Sequence, residues 1–307
     1  MIAQAERLLR VSLTVQDLPR MEAFYCAAFG FARVGGGELS PALLRLLGAA
    51  DTGARSALLR LGAEYLELVQ FDPPGRPYPS GSTARDPWFQ HVAIVVADMQ
   101  AAHDRIQRLP VSPITQGGPQ HLPANAGSVI AFKFRDPESH PLELIQFPPG
   151  RGDPVWRHRA REQLFLGFDH SAIVVADAAL SRGFYTSRLG LGELSRSTNH
   201  GPEQQRLDGL ADDVVDVVGL APAAASTPHL ELLGYHLASA RPRTPRLSEE
   251  ERAAYGHTAV KDAASARLVF EVDHLIEAQG TTLEDGSCAA QLLDPDGHRL
   301  LLIEPQR

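Results

Sequence analysis

The sequence predicts an α+β fold built from one unit, a strand, a helix and then several strands, used four times and paired to close two curved, cup-like mixed sheets. Three observations predict it. Helix-like FYCAAFGF (24–31) returns as FYTSRLGL (184–191), about 160 residues later. Turn-plus-strand RDPESHPLELIQF (135–147) returns at nearly the same spacing as LDPDGHRLLLIEP (293–305), so the two halves are copies of one domain. Each half then repeats internally, because HVAIVVAD (91–98) and HSAIVVAD (170–177) have the form of LRVSLTVQD (9–17) and RLVFEVD (267–273).

The elements follow in order. The first module spans about 8–71 and ends in the apolar strand YLELVQF (65–71). FDPPGRPYPSGSTARDPW (71–88) is rich in Pro, Gly and Ser and reads as an extended crossover. The second module spans about 89–147. In its helix Met99, Ala102, Ile106 and Leu109 share one face, and it closes on PLELIQF (141–147). These two modules form a predicted first domain, 1–148, and a linker follows over 149–165. The second domain, 166–307, holds modules at about 167–235, closing on HLELLGY (229–235), and about 257–305, closing on RLLLIEP (299–305). ARPRTPRLSEEERAAYGH (240–257) repeats the first crossover and aligns His257 with His91.

Composition bounds the partners. The chain has 307 residues, and its 29 Lys and Arg against 37 Asp and Glu give a formal charge of -8. A mildly acidic chain with no basic stripe argues against nucleic acid or an anionic membrane surface. No apolar run approaches the roughly 20 residues of a membrane span. Glu6 and Arg7 interrupt any signal-peptide core. Two separated cysteines make neither a disulfide framework nor a thiolate zinc site. The expectation is a soluble cytoplasmic protein, a monomer or homodimer, acting on a small molecule.

The chemistry lies in the closing strands. Glu67, Glu143 and Glu231 each stand alone among apolar neighbours, facing the same way as Val69, Ile145 and Leu233. A buried carboxylate costs several kcal/mol unless it is paired, protonated or bound to a metal. His91 and His170 open apolar strands seven residues before Asp98 and Asp177; the same count reaches Arg10 and Ala266 in the other copies. Imidazole and carboxylate together suit Fe(II), Mn(II), Zn(II) or Ni(II). Glu67 has a second reading, a closed salt bridge with Arg10. His140 and His298 read as surface or cap groups in their turns, and His103 as exposed on its helix. Cys26 reads as core, GGG (35–37) precedes no strand-to-helix switch, and no Ser or Cys nucleophile motif is present.

HVAIVVADMQAAHDRI, HSAIVVADAALSRGFYTSRLGLGEL and RDPESHPLELIQF resemble the opening His-strand with its helix, and the closing Glu-strand, of vicinal oxygen chelate modules. These belong to the glyoxalase, bleomycin-resistance and extradiol-dioxygenase group, and the resemblance covers about 8–147 and 166–305. It implies βαβββ modules paired into cups, with a divalent metal between opening and closing strands. In the first cup it implies the ligands Glu67, His91 and Glu143, with Arg10 in the fourth place. In the second it implies His170 and Glu231, with Ala266 and Leu301 replacing ligands and His257 supplying an imidazole. The second cup is preferred because it has no competing cation, and Asn199, Glu203 and Gln204 lie nearby to orient a substrate. Fe(II) with O2 and extradiol-type ring cleavage is the leading expectation. The alternatives are glyoxalase- or epimerase-like proton transfer on Mn, Zn, Ni or Co, with Glu143 or Glu67 as base, and a metal-free binding protein. Arg10 enters as a substrate-binding candidate.

Overall fold

In each of the first three modules the opening strand runs into a helix capped by an aspartate. Asp17 accepts from Arg20 N at 3.1 Å, Asp98 from Ala101 N at 3.0 Å, and Asp177 from Ala179 N and Leu180 N. Each carboxylate satisfies an amide that the first helical turn leaves unpaired. The first and third of these helices end at Gly30 and Gly190, both left-handed, where glycine alone is unstrained.

The computed structural model describes residues 3–159, 163–222, 224–237, 258–275 and 280–306. The first module comprises β1 (Ala5–Thr14), α1 (Leu18–Phe29), β2 (Ala32–Glu38), α2 (Pro41–Leu46), β3 (Gly53–Leu61) and β4 (Glu64–Asp72). The second has β5 (Gln90–Val96), α3 (Met99–Ile106), β6 (Ser112–Pro113), β7 (Gln120–His121), β8 (Ile130–Arg135) and β9 (Pro141–Gln146). A short helix, α4 (Pro154–Arg159), stands in the segment read as a linker. The third module has β10 (Phe165–Val174), α5 (Ala178–Leu189), β11 (Gly192–Asn199), α6 (Pro202–Asp208), β12 (Asp213–Ala221) and β13 (His229–Leu237). The fourth has β14 (Ala266–Val272), β15 (Thr281–Thr282), β16 (Cys288–Leu293) and β17 (Arg299–Glu304).

The modules pair differently from the expectation of consecutive partners. One sheet has the order β15-β16-β17-β14-β1-β4-β3-β2, joining the first module to the fourth. The other runs β11-β12-β13-β10-β5-β9-β8-β6, with β7 on β8, joining the third to the second. Antiparallel pairs of opening strands, β1 with β14 and β5 with β10, make the two seams. Residues 73–89 contain no helix or strand and carry the chain from one sheet to the other. Neighbours in sequence are usually neighbours in a sheet, and here a long Pro- and Gly-rich connector breaks that rule.

Strand alternation gives each sheet two apolar faces. Val11, Leu68, Leu268 and Leu300 from the first sheet join Ile94, Leu142, Ile173 and Leu232 from the second in one core, together with Met21, Tyr25, Ile106 and Tyr185 from the helices. The opposite, concave faces carry smaller clusters. On the first sheet Leu44 and Val260 pack over Val69 and Phe71 on that face.

Two matching bolts tie the sheets together. Tyr25 donates to Asp136 at 2.9 Å, and His140 lies between Asp136 (2.9 Å) and the Thr14 carbonyl (2.9 Å). In the other half Tyr185 donates to Asp294 at 3.0 Å, and His298 Nε2 reaches the Val174 carbonyl at 2.7 Å. His140 and His298 are therefore buried, not surface caps. His103 is also buried, edge-on to Phe132, where its aromatic ring fills the helix–sheet gap. Cys26 packs half-buried against the core, as expected. Among the described residues no helix is long and apolar enough to cross a membrane.

Candidate functional site

The second sheet brings together the histidines and glutamates that the sequence reading had divided between two cups. His91 on β5 and Glu143 on β9 face the same side as Ala93 and Ile145, because side chains two apart share a face. His170 on β10 and Glu231 on β13 face the same concavity beside Ala172 and Leu233. The β5–β10 seam sets His91 opposite Ala172 and His170 opposite Ala93, so alanines flank both imidazoles and leave room between them.

His91 Nε2 lies 2.8 Å from Glu143 Oε2, and His170 Nε2 lies 3.8 Å from the same oxygen. Glu231 Oε2 is 3.4 Å from His170 Nε2. The 2.8 Å contact is close, but its direction is wrong for a hydrogen bond, and His91 Nε2 and His170 Nε2 are both buried without a hydrogen-bond partner. Buried polar atoms left in this state are uncommon. Donor atoms of His91, Glu143 and His170 lie within 4.8 Å of one another.

Asp169 and Trp156 hold the His170 imidazole from behind. Asp169 Oδ2 is 3.2 Å from His170 Nδ1, so His170 presents Nε2 to the cavity. Trp156 donates to the other Asp169 oxygen at 3.3 Å. His229, two residues before Glu231 and on the same face, lies 3.6 Å from Glu231 Oε1. Gly219 lies opposite Glu231 in the register, where a Cβ would sit in ordinary contact with His229 at 3.6 Å but crowd Ser195 Oγ at 2.5 Å. Burial opposes the Glu143 charge, but Lys133, His170 and His91 overcome it and hold the carboxyl well below its usual range. Burial likewise disfavours the His170 cation, yet Glu231, Asp169 and Glu143 raise it well above the ordinary histidine range. For His91 burial wins, and the ring is held toward its neutral form.

These residues floor a cleft of about 430 Å³. Asn199 and Gln204 line it, each with a buried oxygen lacking a partner, whereas Glu203 turns to Arg206 at 3.4 Å. Lys133 also lines it, so a cation does stand in this cup, contrary to the expectation. Lys133, Asp169 and His229 escaped the sequence reading. Their signals were alternation with Ala131, adjacency to His170 and a two-residue offset from Glu231.

The first sheet carries a different set at corresponding positions. Arg10 lies 3.3 Å from Glu67, which is therefore remote from the second-sheet cluster rather than a partner of His91. The register sets Arg267 opposite Ser12 as His91 stands opposite Ala172, so Arg267, not Ala266, holds the opening place. Leu301 occupies the place of Glu143. Two guanidiniums and one carboxylate make an internal ion pair rather than a ligand set, and Arg10 does not reach the cleft. His257 lies outside the described residues.

The chemistry of the second-sheet set fits a divalent cation. Two imidazole nitrogens without partners face ionised carboxylates, a mixed N and O donor set.

Comparison with known proteins agrees with this architecture. Residues 7–144 match the family model described as Glyoxalase/Bleomycin resistance protein/Dioxygenase superfamily. Glyoxalase I from Zea mays is similar in structure over 97% of this chain and 92% of its own, at a TM-score of 0.59 and 17% identity. A putative dioxygenase from Bacillus subtilis subsp. subtilis str. 168 is similar over 99% of this chain and 87% of its own, at a TM-score of 0.55 and 10% identity. At these identities the likeness is one of fold. No curated protein matches the sequence significantly.

Proposed function

We propose that the chain, whose residues 7–144 match the glyoxalase, bleomycin-resistance and dioxygenase superfamily model, is a vicinal oxygen chelate member and a divalent-metal-dependent enzyme acting on a small molecule in the second-sheet cleft. His91, Glu143, His170 and the adjoining Glu231 would hold the ion. The observation that carries this reading is the pair of buried, partnerless imidazole nitrogens beside two carboxylates. When bound, such an ion acts as a Lewis acid that polarises a substrate oxygen and stabilises enolate-like charge.

The protein's own groups favour proton transfer of the glyoxalase or epimerase kind, a lyase or isomerase reaction. Two carboxylates stand within 4 Å of the His170 Nε2 atom. Glu143 is the tightly held member, close to His91 and 8% exposed in its side chain. Glu231 is the more open member, at 20%, and is kept ionised: burial opposes its charge, but His170 and His229 lower its pKa. Glu231 is thus the candidate base: as the most open of the four it would yield its place to the substrate, take a proton from the carbon beside the substrate oxygen and return it. Leu122, Val129, Ile145 and Leu233 supply an apolar wall beside that exchange. A ring-cleaving dioxygenase is the second reading, favoured by the subset His91, His170 and Glu143, two imidazoles and one carboxylate suited to Fe(II).

Elemental analysis of anaerobically purified protein tests the metal. About one Fe, Mn, Zn, Ni or Co per chain is expected, falling at least tenfold in both His91→Ala and His170→Ala. Loss in only one variant would overturn the shared site, and no metal after reconstitution would turn the reading to a metal-free binding protein. Deuterium uptake by substrate in heavy water, with no oxygen consumed, separates proton transfer from ring cleavage.

A further inference from the structure

The cleft has a second polar end that the four proposed ligands do not use. Lys133 sits directly opposite Glu143 in the β8–β9 register, on the concave face, and is only 4% exposed. The other three modules place Leu58, Gly219 and Gln291 at that register position, so this lysine is no requirement of the repeated fold. Its Nζ donates to Asp208 Oδ1 at 2.6 Å, its one hydrogen bond among the described residues. An ammonium has three donors, which leaves two unspent in a buried place. Behind it Gln204 donates to the other Asp208 oxygen, Oδ2, at 2.6 Å, and Asp208 does not line the cleft. Tyr235 also lines the cleft, 8% exposed; its hydroxyl lies near Asp208 without a hydrogen bond of sound geometry.

We propose that Lys133 and Tyr235 form an acid-binding end of the cleft, and that the substrate is a small 2-hydroxy or 2-oxo carboxylic acid whose carboxylate accepts from Lys133 Nζ and the Tyr235 hydroxyl. An anionic acceptor suits the two spare ammonium donors and the Tyr235 hydroxyl, which both lie buried at one end of the cleft, and charge-assisted bonds of this kind are the strong ones. The register sets Lys133 on the strand next to Glu143, so an acid held at this end would direct the oxygen on its next carbon toward the His91–Glu143–His170 cluster. The unpartnered Gln204 Oε1 is then available to accept from a substrate hydroxyl. The inference deepens the metal-dependent reading and rests on it for the position of that second oxygen, but the part of the carboxylate preference that persists in metal-free protein belongs to Lys133 and Tyr235.

Titration calorimetry with metal-loaded protein tests it, using lactate and 2-hydroxyhexanoate, each against its uncharged amide. At least tenfold tighter binding of one or both acids over the matching amide is expected. Tyr235→Phe should reduce that preference several-fold and leave amide binding unchanged. Lys133→Met alone strands the Asp208 carboxylate, so the decisive variant is Lys133→Met with Asp208→Asn, which removes both charges. It should erase the preference while keeping the wild-type metal content, and Lys133→Arg should restore part of it. Equal binding of acid and amide, binding of neither pair, or a preference that survives the double variant would overturn the proposal. Repeating the titration on metal-free protein separates the two readings: the metal-dependent reading falls on metal content, and the acid-binding end falls on the acid-to-amide ratio.

Discussion

Glu67 and Glu231 occupy the same place in two copies of one unit and meet opposite company. Glu67 pairs in register with Ser12, and Glu231 with Ala172, on matching strands. Around Glu231 the copies supply His170 and His229; around Glu67 they supply Arg10 and Arg267. Burial opposes the Glu67 charge, and the two guanidiniums overcome it and lower its pKa. Glu67→Gln should therefore leave the metal content unchanged while lowering stability by about 3 kcal/mol, because it strands buried cations. Metal analysis beside denaturant unfolding checks this, and a metal-depleted Glu67→Gln protein would contradict the assignment. Every proposed second-sheet ligand was legible in the sequence as a lone polar residue in an apolar strand. Their shared cluster was not, because ligand sets follow strand pairing, and pairing is decided by contacts that lie far apart in the chain. Ala266 was chosen by counting back from Asp273, and the register moves the place by one residue to Arg267.

At the scale of elements, the turn before each closing strand in the second and fourth modules does more than reverse the chain. The β8–β9 turn carries Asp136 and His140, which fasten it to α1 through Tyr25 and to β1 through the Thr14 carbonyl. With a carboxylate on Nδ1 and a carbonyl on Nε2, both ring nitrogens of His140 must donate, which is the cationic form. Burial opposes that cation, but Asp136 and the Thr14 carbonyl prevail and raise the pKa to about 9. A pKa raised on folding contributes stability that is complete below the unfolded value, about 6.5. That contribution is lost as pH rises through about 9. The unfolding free energy should thus fall between pH 6.5 and 9 by on the order of 1–3 kcal/mol, and His140→Gln should flatten the slope over that window. Urea titrations at fixed pH steps measure it, and an unchanged slope in the variant would remove His140 as the cause. Tyr25→Phe should cost about 1–2 kcal/mol by leaving a buried Asp136 oxygen short of a donor. The DPESH and DPDGH motifs were legible as turns; their burial was not, since it depends on a helix more than 100 residues away reaching the aspartate.

For the whole molecule, the decisive fact is that each half of the chain contributes one module to each sheet. The four modules were legible because repeats survive in sequence, and so was the crossover at 71–88. Which module meets which was not, since the seams β1–β14 and β5–β10 join residues 69 or more apart. It follows that residues 1–148 do not form a closed domain. Cut there, β1 loses β14 and β5 loses β10, and both opening strands become unpaired edges in apolar surroundings. The halves are copies, however, so the first module is built to pair with a unit like the second, as it does with the fourth. Two molecules of residues 1–148 can satisfy both seams by setting the first module of each against the second module of the other, which is a swapped dimer. Sedimentation equilibrium of that fragment should give a dimer that unfolds on dilution, with dissociation and loss of structure coinciding. Its two cups would each bring Arg10 and Glu67 to face His91 and Glu143, a guanidinium replacing one imidazole, so metal affinity should be at least tenfold weaker than in the full chain. A fragment that stays folded as a monomer would mean that residues 73–89 can turn the second module back onto the first, and that the exchange of modules between halves is a choice of the full chain rather than a requirement of the unit.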